Sequence, residues 1–399
     1  MKNINIIGAF DRNNYGDLLF PIIIREVLSK KGIEGNFNFF ALKESDLSNV
    51  GALPTDGLSK LCANKHENDV FIVAGGEVTG ADAGLMYMHL SKNRFELFKK
   101  KVYRKLLKRK KFIKYSAKKL KLKTDFPWIL DKNIYGSDII IIYNTIGANS
   151  ISSVQKDEAS YILDNFRNSN YISVRDKKSA ELIAEVKPKL YPDSATCMSE
   201  VFSGQFLHEK SSEIINEFIG INNQKYVCIQ MNRGYINKCG LDTVIEQLMK
   251  IVKDNYKIVL LPIGFAPLHE DNVALKNIYK KLKNNKNVFY FSDVNIYEIM
   301  NIISNSLFFA GTSLHGNITA MAFGIRHIGL NRNITKLEEY LKTWEIEGQN
   351  ECIEMNELYK KFKEILKIDT KKLLTNKEKL IKLVNENFDN ICNTILKGV

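Results

Sequence analysis

Runs of apolar, β-branched and aromatic residues recur along this chain, separated by stretches with helical spacing. Asn5 to Gly8, Phe37 to Leu42, Val70 to Ala74, Ile139 to Asn144 and Tyr171 to Val174 read as strands. Their hydrophobicity is unbroken rather than alternating, which marks strands covered on both faces of a parallel sheet. Asp17 to Lys30 and Lys178 to Ala184 carry a helical period between them. After an irregular stretch, Ser194 to Gly204, and polar residues 205–225, the alternation restarts. Tyr226 to Gln230, Lys257 to Leu261, Val288 to Phe291, Leu307 to Ala310 and His327 to Leu330 are the second set of strands, with helices over 241–254, 271–283, 295–303 and 316–323. From Glu354 onward the chain is helical and rich in Lys, Leu and Asn. The pattern predicts an α/β protein of two Rossmann-like domains, 1–204 and 205–350, facing a cleft, with C-terminal helices over 351–399 as a cap. The length of 399 residues suits two domains of roughly 150–200 residues each.

One segment breaks this rhythm. Residues 92–123 hold sixteen Lys or Arg against the single acid Glu96, while the rest of the chain carries 42 basic and 44 acidic residues. The whole positive excess therefore lies in one insertion. Phe95, Phe98, Val102, Leu106, Ile113, Ala117 and Leu120 recur through it at helical spacing, which predicts a basic amphipathic helix or a pair of them. Two readings stand: a solvated lid helix with its apolar stripe in the core, or a helix docked on the anionic inner membrane surface. Nucleic acid is not the expected partner, because no recognition module accompanies the charge. The chain opens directly into a strand, without a signal-peptide core, and no stretch approaches the ~18–20 apolar residues of a membrane span. The expected location is cytoplasmic, peripheral to the inner membrane face under the second reading. Six scattered cysteines with no CxxC pair, Cys228 inside a strand among them, fit reduced thiols rather than disulfides or zinc.

Candidate chemistry gathers at strand ends, where open α/β sheets bind their ligands. Gly311-Thr312-Ser313-Leu314-His315-Gly316-Asn317 passes from a strand straight into a helix. The amides of such a turn and the helix dipole suit a phosphate or carboxylate, and His315 exchanges a proton near neutral pH. Equally, His315 is placed to cap the helix. Asn14-Tyr15-Gly16-Asp17 follows the first strand, without the GxGxxG of a dinucleotide site; Asp17 is a capping residue or a base. Gly75-Gly76-Glu77 closes another strand, with Glu77 either solvated or aimed at the cleft. Arg175, in Ser173-Val174-Arg175-Asp176, offers a planar fork for an anion or an ion pair with Asp176, and Arg233 in Asn232-Arg233-Gly234 has the same placement. His269 and Asp271 most simply start a helix, since no further ligands stand at metal spacing; no metal is expected.

In their order, Asn14-Tyr15-Gly16-Asp17, Gly75-Gly76, Ser173-Val174-Arg175-Asp176-Lys177-Lys178-Ser179, Pro192-Asp193, Pro262-Ile263-Gly264 and Ser313-Leu314-His315-Gly316 resemble the polysaccharide pyruvyl transferase family, from about residue 5 to 345. The resemblance implies a GT-B-like fold and a reaction of phosphoenolpyruvate with two hydroxyls of a hexose, giving a cyclic ketal and phosphate. It implies donor roles for Arg175, His315 and Lys336. Many members have Arg-Leu-His where this chain has Ser313-Leu314-His315, so one family cation is replaced, with Arg233 or Lys336 available to compensate. The implied scheme needs no cofactor beyond phosphoenolpyruvate as co-substrate. It makes His315 the acid and places the phosphate and carboxylate on Arg175, Lys336, Arg233 and the backbone of Ser313, Leu314 and Gly316. Asp17 or Glu77 is the base for the sugar hydroxyl, and Asn14, Gly16 and Gly76 lie on the acceptor side. The acceptor is a hexose-containing glycan, free or lipid-linked. Two competing classes stay open: a GT-B glycosyltransferase using a nucleotide sugar, and a non-catalytic sugar-binding relative.

Overall fold

A computed structural model describes residues 2–63, 68–266 and 270–398; His269 lies outside the described residues. Among the described residues, thirteen strands form two parallel sheets. The first contains β1 (Asn3–Ile7), β2 (Asn36–Ala41), β3 (Asp56–Gly57), β4 (Val70–Val73), β5 (Ile140–Ile146), β6 (Tyr171–Val174) and β7 (Lys189–Leu190), in the order β3-β2-β1-β4-β5-β6-β7. The second contains β8 (Tyr226–Gln230), β9 (Lys257–Leu260), β10 (Val288–Tyr290), β11 (Phe308–Gly311), β12 (Arg326–Leu330) and β13 (Cys352–Ile353), in the order β10-β9-β8-β11-β12-β13. Each order runs outward in one direction from its first strand and then reverses. That is the doubly wound Rossmann topology, with a switch point between β1 and β4 in one sheet and between β8 and β11 in the other.

The central strands are buried along their whole length, as their unbroken apolar runs require: Val70–Val73, Ile140–Ile146 and Tyr226–Gln230 have no exposed residue. Cys228 is among the buried residues of β8. The two-residue edge strands β3, β7 and β13 are too short to leave a periodic signal in sequence. β5 carries a register shift between Tyr143 and Ile146, where Thr145 adopts a left-handed φ of 46°. The extra residue bends the strand end so that Gly147 pairs with the loop after β4, its N–H donating to Gly76 O at 2.7 Å.

The last helix, Thr370–Lys397, crosses back from the second sheet to the first. Its buried Asn387 donates to Asn144 Oδ1 at 2.8 Å and accepts from the Tyr171 hydroxyl at 2.7 Å. The basic insertion is a pair of helices, Arg94–Leu107 and Arg109–Lys119, broken at Lys108, whose φ is 61°. The break divides the apolar stripe that the sequence presents as continuous. Ile113, Ala117 and Leu120 are buried, Ile113 and Ala117 against Ala83, while Phe95, Phe98, Val102 and Leu106 face solvent.

Candidate active site

The loop after β1 ends at Asn14, ahead of the helix Tyr15–Lys30. Asn14 Nδ2 donates to Asp17 Oδ2 at 2.7 Å and so fixes that carboxylate on the first turn. The same loop is tied to the second sheet, with Asn14 bridged to Gly264 and Tyr15 N–H donating to Ile263 O at 3.3 Å. After β4, Gly75 and Gly76 take φ of 122° and 82°, which glycine holds without strain. Their turn delivers Glu77, whose Oε1 accepts from Ser150 N at 3.1 Å and from Ser150 Oγ at 2.7 Å.

Arg175 follows β6 and is 1% exposed. Its Nη1 reaches Asp193 Oδ2 at only 3.4 Å, and its Nε has no hydrogen-bond partner among the described residues. A guanidinium so buried is costly unless its donors are met, and here one is not. The helix Thr335–Trp344 holds the neighbouring backbone: Trp344 Nε1 donates to Arg175 O at 2.6 Å, and Asp193 N–H donates to the Tyr340 hydroxyl at 3.2 Å. Lys336 lies on the first turn of this helix. Its side chain is accessible to solvent yet lines the cleft, and there desolvation and Arg175 lower its pKa while Asp17 and Glu77 oppose them.

Ser313 caps the helix Leu314–Phe323, its Oγ accepting from Gly316 N at 3.2 Å, and Ser313 N–H donates to Gln230 Oε1 at 2.9 Å. Two of the amides expected to meet a ligand are thus engaged within the protein. Gly316 is a packing residue, since a Cβ there would lie 2.5 Å from the Phe309 ring. His315 packs edge-on against Phe20 at 5.2 Å between ring centroids. A Cβ on Gly16 would collide with its Nδ1, so the absent side chain makes room for the imidazole. His315 Nε2 stands 3.8 Å from Asp193 Oδ2 and has no hydrogen-bond partner among the described residues. Desolvation, then the charges of Arg175 and Lys336, push its pKa well below the usual 6.5.

One cavity of about 170 Å³ brings together Asn14, Asp17, Gly76, Glu77, Arg175, Leu314, His315 and Lys336. It lies at strand ends, those of β1, β4 and β6 in the first sheet and of β11 and β12 in the second. Gly16, Ser313 and Gly316 stand just behind its wall in supporting positions. Arg233 is elsewhere, lining a separate groove with Arg94 and paired with Glu270 at 3.7 Å. The sequence reading passed over Arg12, which lines the cavity but is neutralised by Asp11 at 2.9 Å, and gave no role to Asp193, the carboxylate that Arg175 and His315 share. The motif Pro192-Asp193 was the available signal for the second; nothing in the spacing marks the first.

A family model for polysaccharide pyruvyl transferase matches residues 14–333. A search of curated proteins returns no significant match. Among solved structures, UDP-GlcNAc 2-epimerase from Methanocaldococcus jannaschii in complex with UDP-GlcNAc and UDP is similar at a TM-score of 0.53 and 16% identity, over 93% of this chain and 94% of that one. UDP-N-acetylglucosamine 2-epimerase from Rickettsia bellii aligns at a TM-score of 0.56 and 12% identity, over 100% and 96%. The Neisseria meningitidis UDP-GlcNAc 2-epimerase aligns at 0.53 and 12%, over the full length of both chains. These likenesses establish a GT-B-like fold.

Proposed function

The chain belongs to the polysaccharide pyruvyl transferase family, and from that premise we propose that it transfers pyruvate from phosphoenolpyruvate to a hexose of a cell-surface glycan or its lipid-linked precursor. Two hydroxyls of the sugar add to C2 of the donor as a cyclic ketal. C3 gains a proton and becomes a methyl group, the C2–O bond to phosphate breaks, and the second hydroxyl proton leaves with phosphate. The observation that carries this reading is the buried, under-satisfied Arg175 beside Lys336 and the unpartnered His315 Nε2, all on one small cavity. Two cations converging there call for a compact dianion or trianion, and phosphoenolpyruvate brings a carboxylate and a phosphate.

His315 is the acid for C3, and donor binding supplies its proton. Burial, then the charges of Arg175 and Lys336, hold the pKa of the imidazole low; a bound anion neutralises both cations and lifts it. Asp193 orients the pair. Asp17, pinned by Asn14, and Glu77, pinned by Ser150, are the carboxylates on the opposing wall for the hydroxyl proton. Gly76 leaves open the space in which the acceptor approaches, with no atom within 4 Å of the Cβ it lacks.

Incubating the protein with phosphoenolpyruvate and a panel of nitrophenyl and lipid-linked hexosides, with phosphate and product mass as readouts, tests the proposal. The expected product is the acceptor plus one pyruvate less one water. Transfer from a nucleotide sugar with no use of phosphoenolpyruvate would replace this reading with a glycosyltransferase, and neither activity on any acceptor would favour a binding protein.

A further inference from the structure

The basic helix Arg94–Leu107 leaves its outer face uncovered. Of the ten exposed large hydrophobic side chains among the described residues, five (Phe95, Phe98, Val102, Tyr103 and Leu106) fall on this one helix. Phe95, Phe98 and Leu106 are 66%, 63% and 73% exposed, and Val102 is 41% exposed. At 3.6 residues per turn these four lie within about 80° of arc, a continuous stripe rather than scattered contacts. Lys99 borders the stripe on one side, its ammonium 4.3 Å from the Phe95 ring, and Lys101 and Lys105 border it on the other.

The inner face of the same helix is fully engaged. Leu97 is buried, and buried Lys100 donates to Tyr87 O at 2.8 Å while pairing with Glu96 at 2.7 Å. Arg94 forks onto Glu270 of the second sheet's half, at 2.7 Å to each oxygen. The helix is therefore held without its stripe. Lys99, Lys101, Arg104 and Lys105 have no ion-pair partner among the described residues, although Arg94, Lys100, Arg109 and Lys110 all do. Cations left unpaired beside an exposed apolar stripe, on a helix already anchored from behind, complement an interface that is apolar inside and anionic outside.

We infer that this helix docks the protein on the surface of a membrane rich in anionic lipid, with Phe95, Phe98, Val102 and Leu106 among the acyl chains and the flanking lysines at the headgroups. A polar nucleic acid would use the charge and leave the aliphatic part of the stripe without a purpose. The preceding helix, Ala83–His89, lends Met86 and His89 to the cavity wall, so the docking helix adjoins an element of the cleft. The inference is independent of the pyruvyl-transfer reading, because it is read by sedimentation and not by turnover.

The test is co-sedimentation of the full chain with vesicles of phosphatidylglycerol and phosphatidylcholine in equal parts, against phosphatidylcholine alone. Binding is expected to the first, to weaken as salt rises from about 0.1 M to about 1 M and the Debye length shrinks from roughly 10 to 3 Å, and to be negligible for the second. The variant F95S/F98S/L106S and the variant K99E/K101E/K105E are each expected to lower partitioning about tenfold or more. All six side chains are outside the core, so melting should match the parent. Three results would overturn the inference: no sedimentation of the intact protein at low salt, undiminished binding by the serine variant, or single-stranded RNA displacing the vesicles and binding the serine variant unchanged.

Discussion

His315 and Gly16 pack together only because one of them has no side chain, since a Cβ on Gly16 would collide with the His315 Nδ1, and this makes the pair a sensitive reporter of the site. Gly16→Ala is expected to drive the imidazole from its position, lowering kcat by about 10²-fold or more, as removal of a general acid does. Overpacking costs about 1–3 kcal/mol, so the variant should still fold. Steady-state kinetics with a thermal melt check this, and an unchanged kcat would mean the ring relaxes without loss. The pH dependence follows from the same surroundings. An acid acts only when protonated, and in the free protein the pKa of His315 is held well below 6.5 by burial, Arg175 and Lys336. The fall in kcat/KM with rising pH, which reports the free enzyme, should therefore lie at lower pH than the fall in kcat, which reports the donor complex. Profiles of the two constants that coincide would remove the donor-loaded proton. What was readable at this scale was position: Arg175, His315 and Lys336 each follow a strand. Arg233 follows β8 in the same way, yet it lines a separate groove and pairs there with Glu270. No linear spacing shows that pairing, nor that Gly16 yields its volume to a residue on the other sheet.

Elements were readable where the hydrophobic signal was long. β6 and β8 have the bounds their apolar runs suggest. β3, β7 and β13 carry two residues each and left no period to detect. The basic insertion forms the pair of helices that its spacing allowed, and what the spacing did not show is where the two part. Its seven apolar residues keep helical phase through Lys108, but the left-handed φ there breaks the helix and gives the two halves different surroundings. The return of the last helix was also hidden, because amphipathic periodicity says which face is buried and not against what. Its polar anchor is Asn387, set between Asn144 and Tyr171 in the core. Asn387→Leu is expected to leave both partners unsatisfied, at about 2–4 kcal/mol in total. Denaturant unfolding followed by far-UV circular dichroism measures it. A loss below about 0.5 kcal/mol would mean that apolar packing alone seats the helix.

The whole molecule divides its chemistry between two sheets. Asp17, Glu77 and Arg175 come from the strand ends of the first, His315 and Lys336 from those of the second. A ligand that spans them binds the assembled protein and not the unfolded chain, so it must raise stability by RT ln(1 + [L]/Kd), about 2.7 kcal/mol at a hundredfold excess over Kd. Phosphoenolpyruvate at saturating concentration is therefore expected to raise the melting temperature by several degrees, and a nucleotide sugar at the same concentration to leave it unmoved. Arg175→Lys keeps the charge but loses the planar fork, and a charge-assisted contact of that kind is worth roughly 1.5–3 kcal/mol. The variant should melt close to the parent when empty and need more than tenfold more phosphoenolpyruvate for the same rise. Differential scanning fluorimetry across a donor titration reads both quantities at once. Stabilisation by the nucleotide sugar alone would assign the cleft to a different donor. A donor response identical in the lysine variant would mean that Arg175 serves Asp193 and the fold, and that Lys336 alone meets the anion.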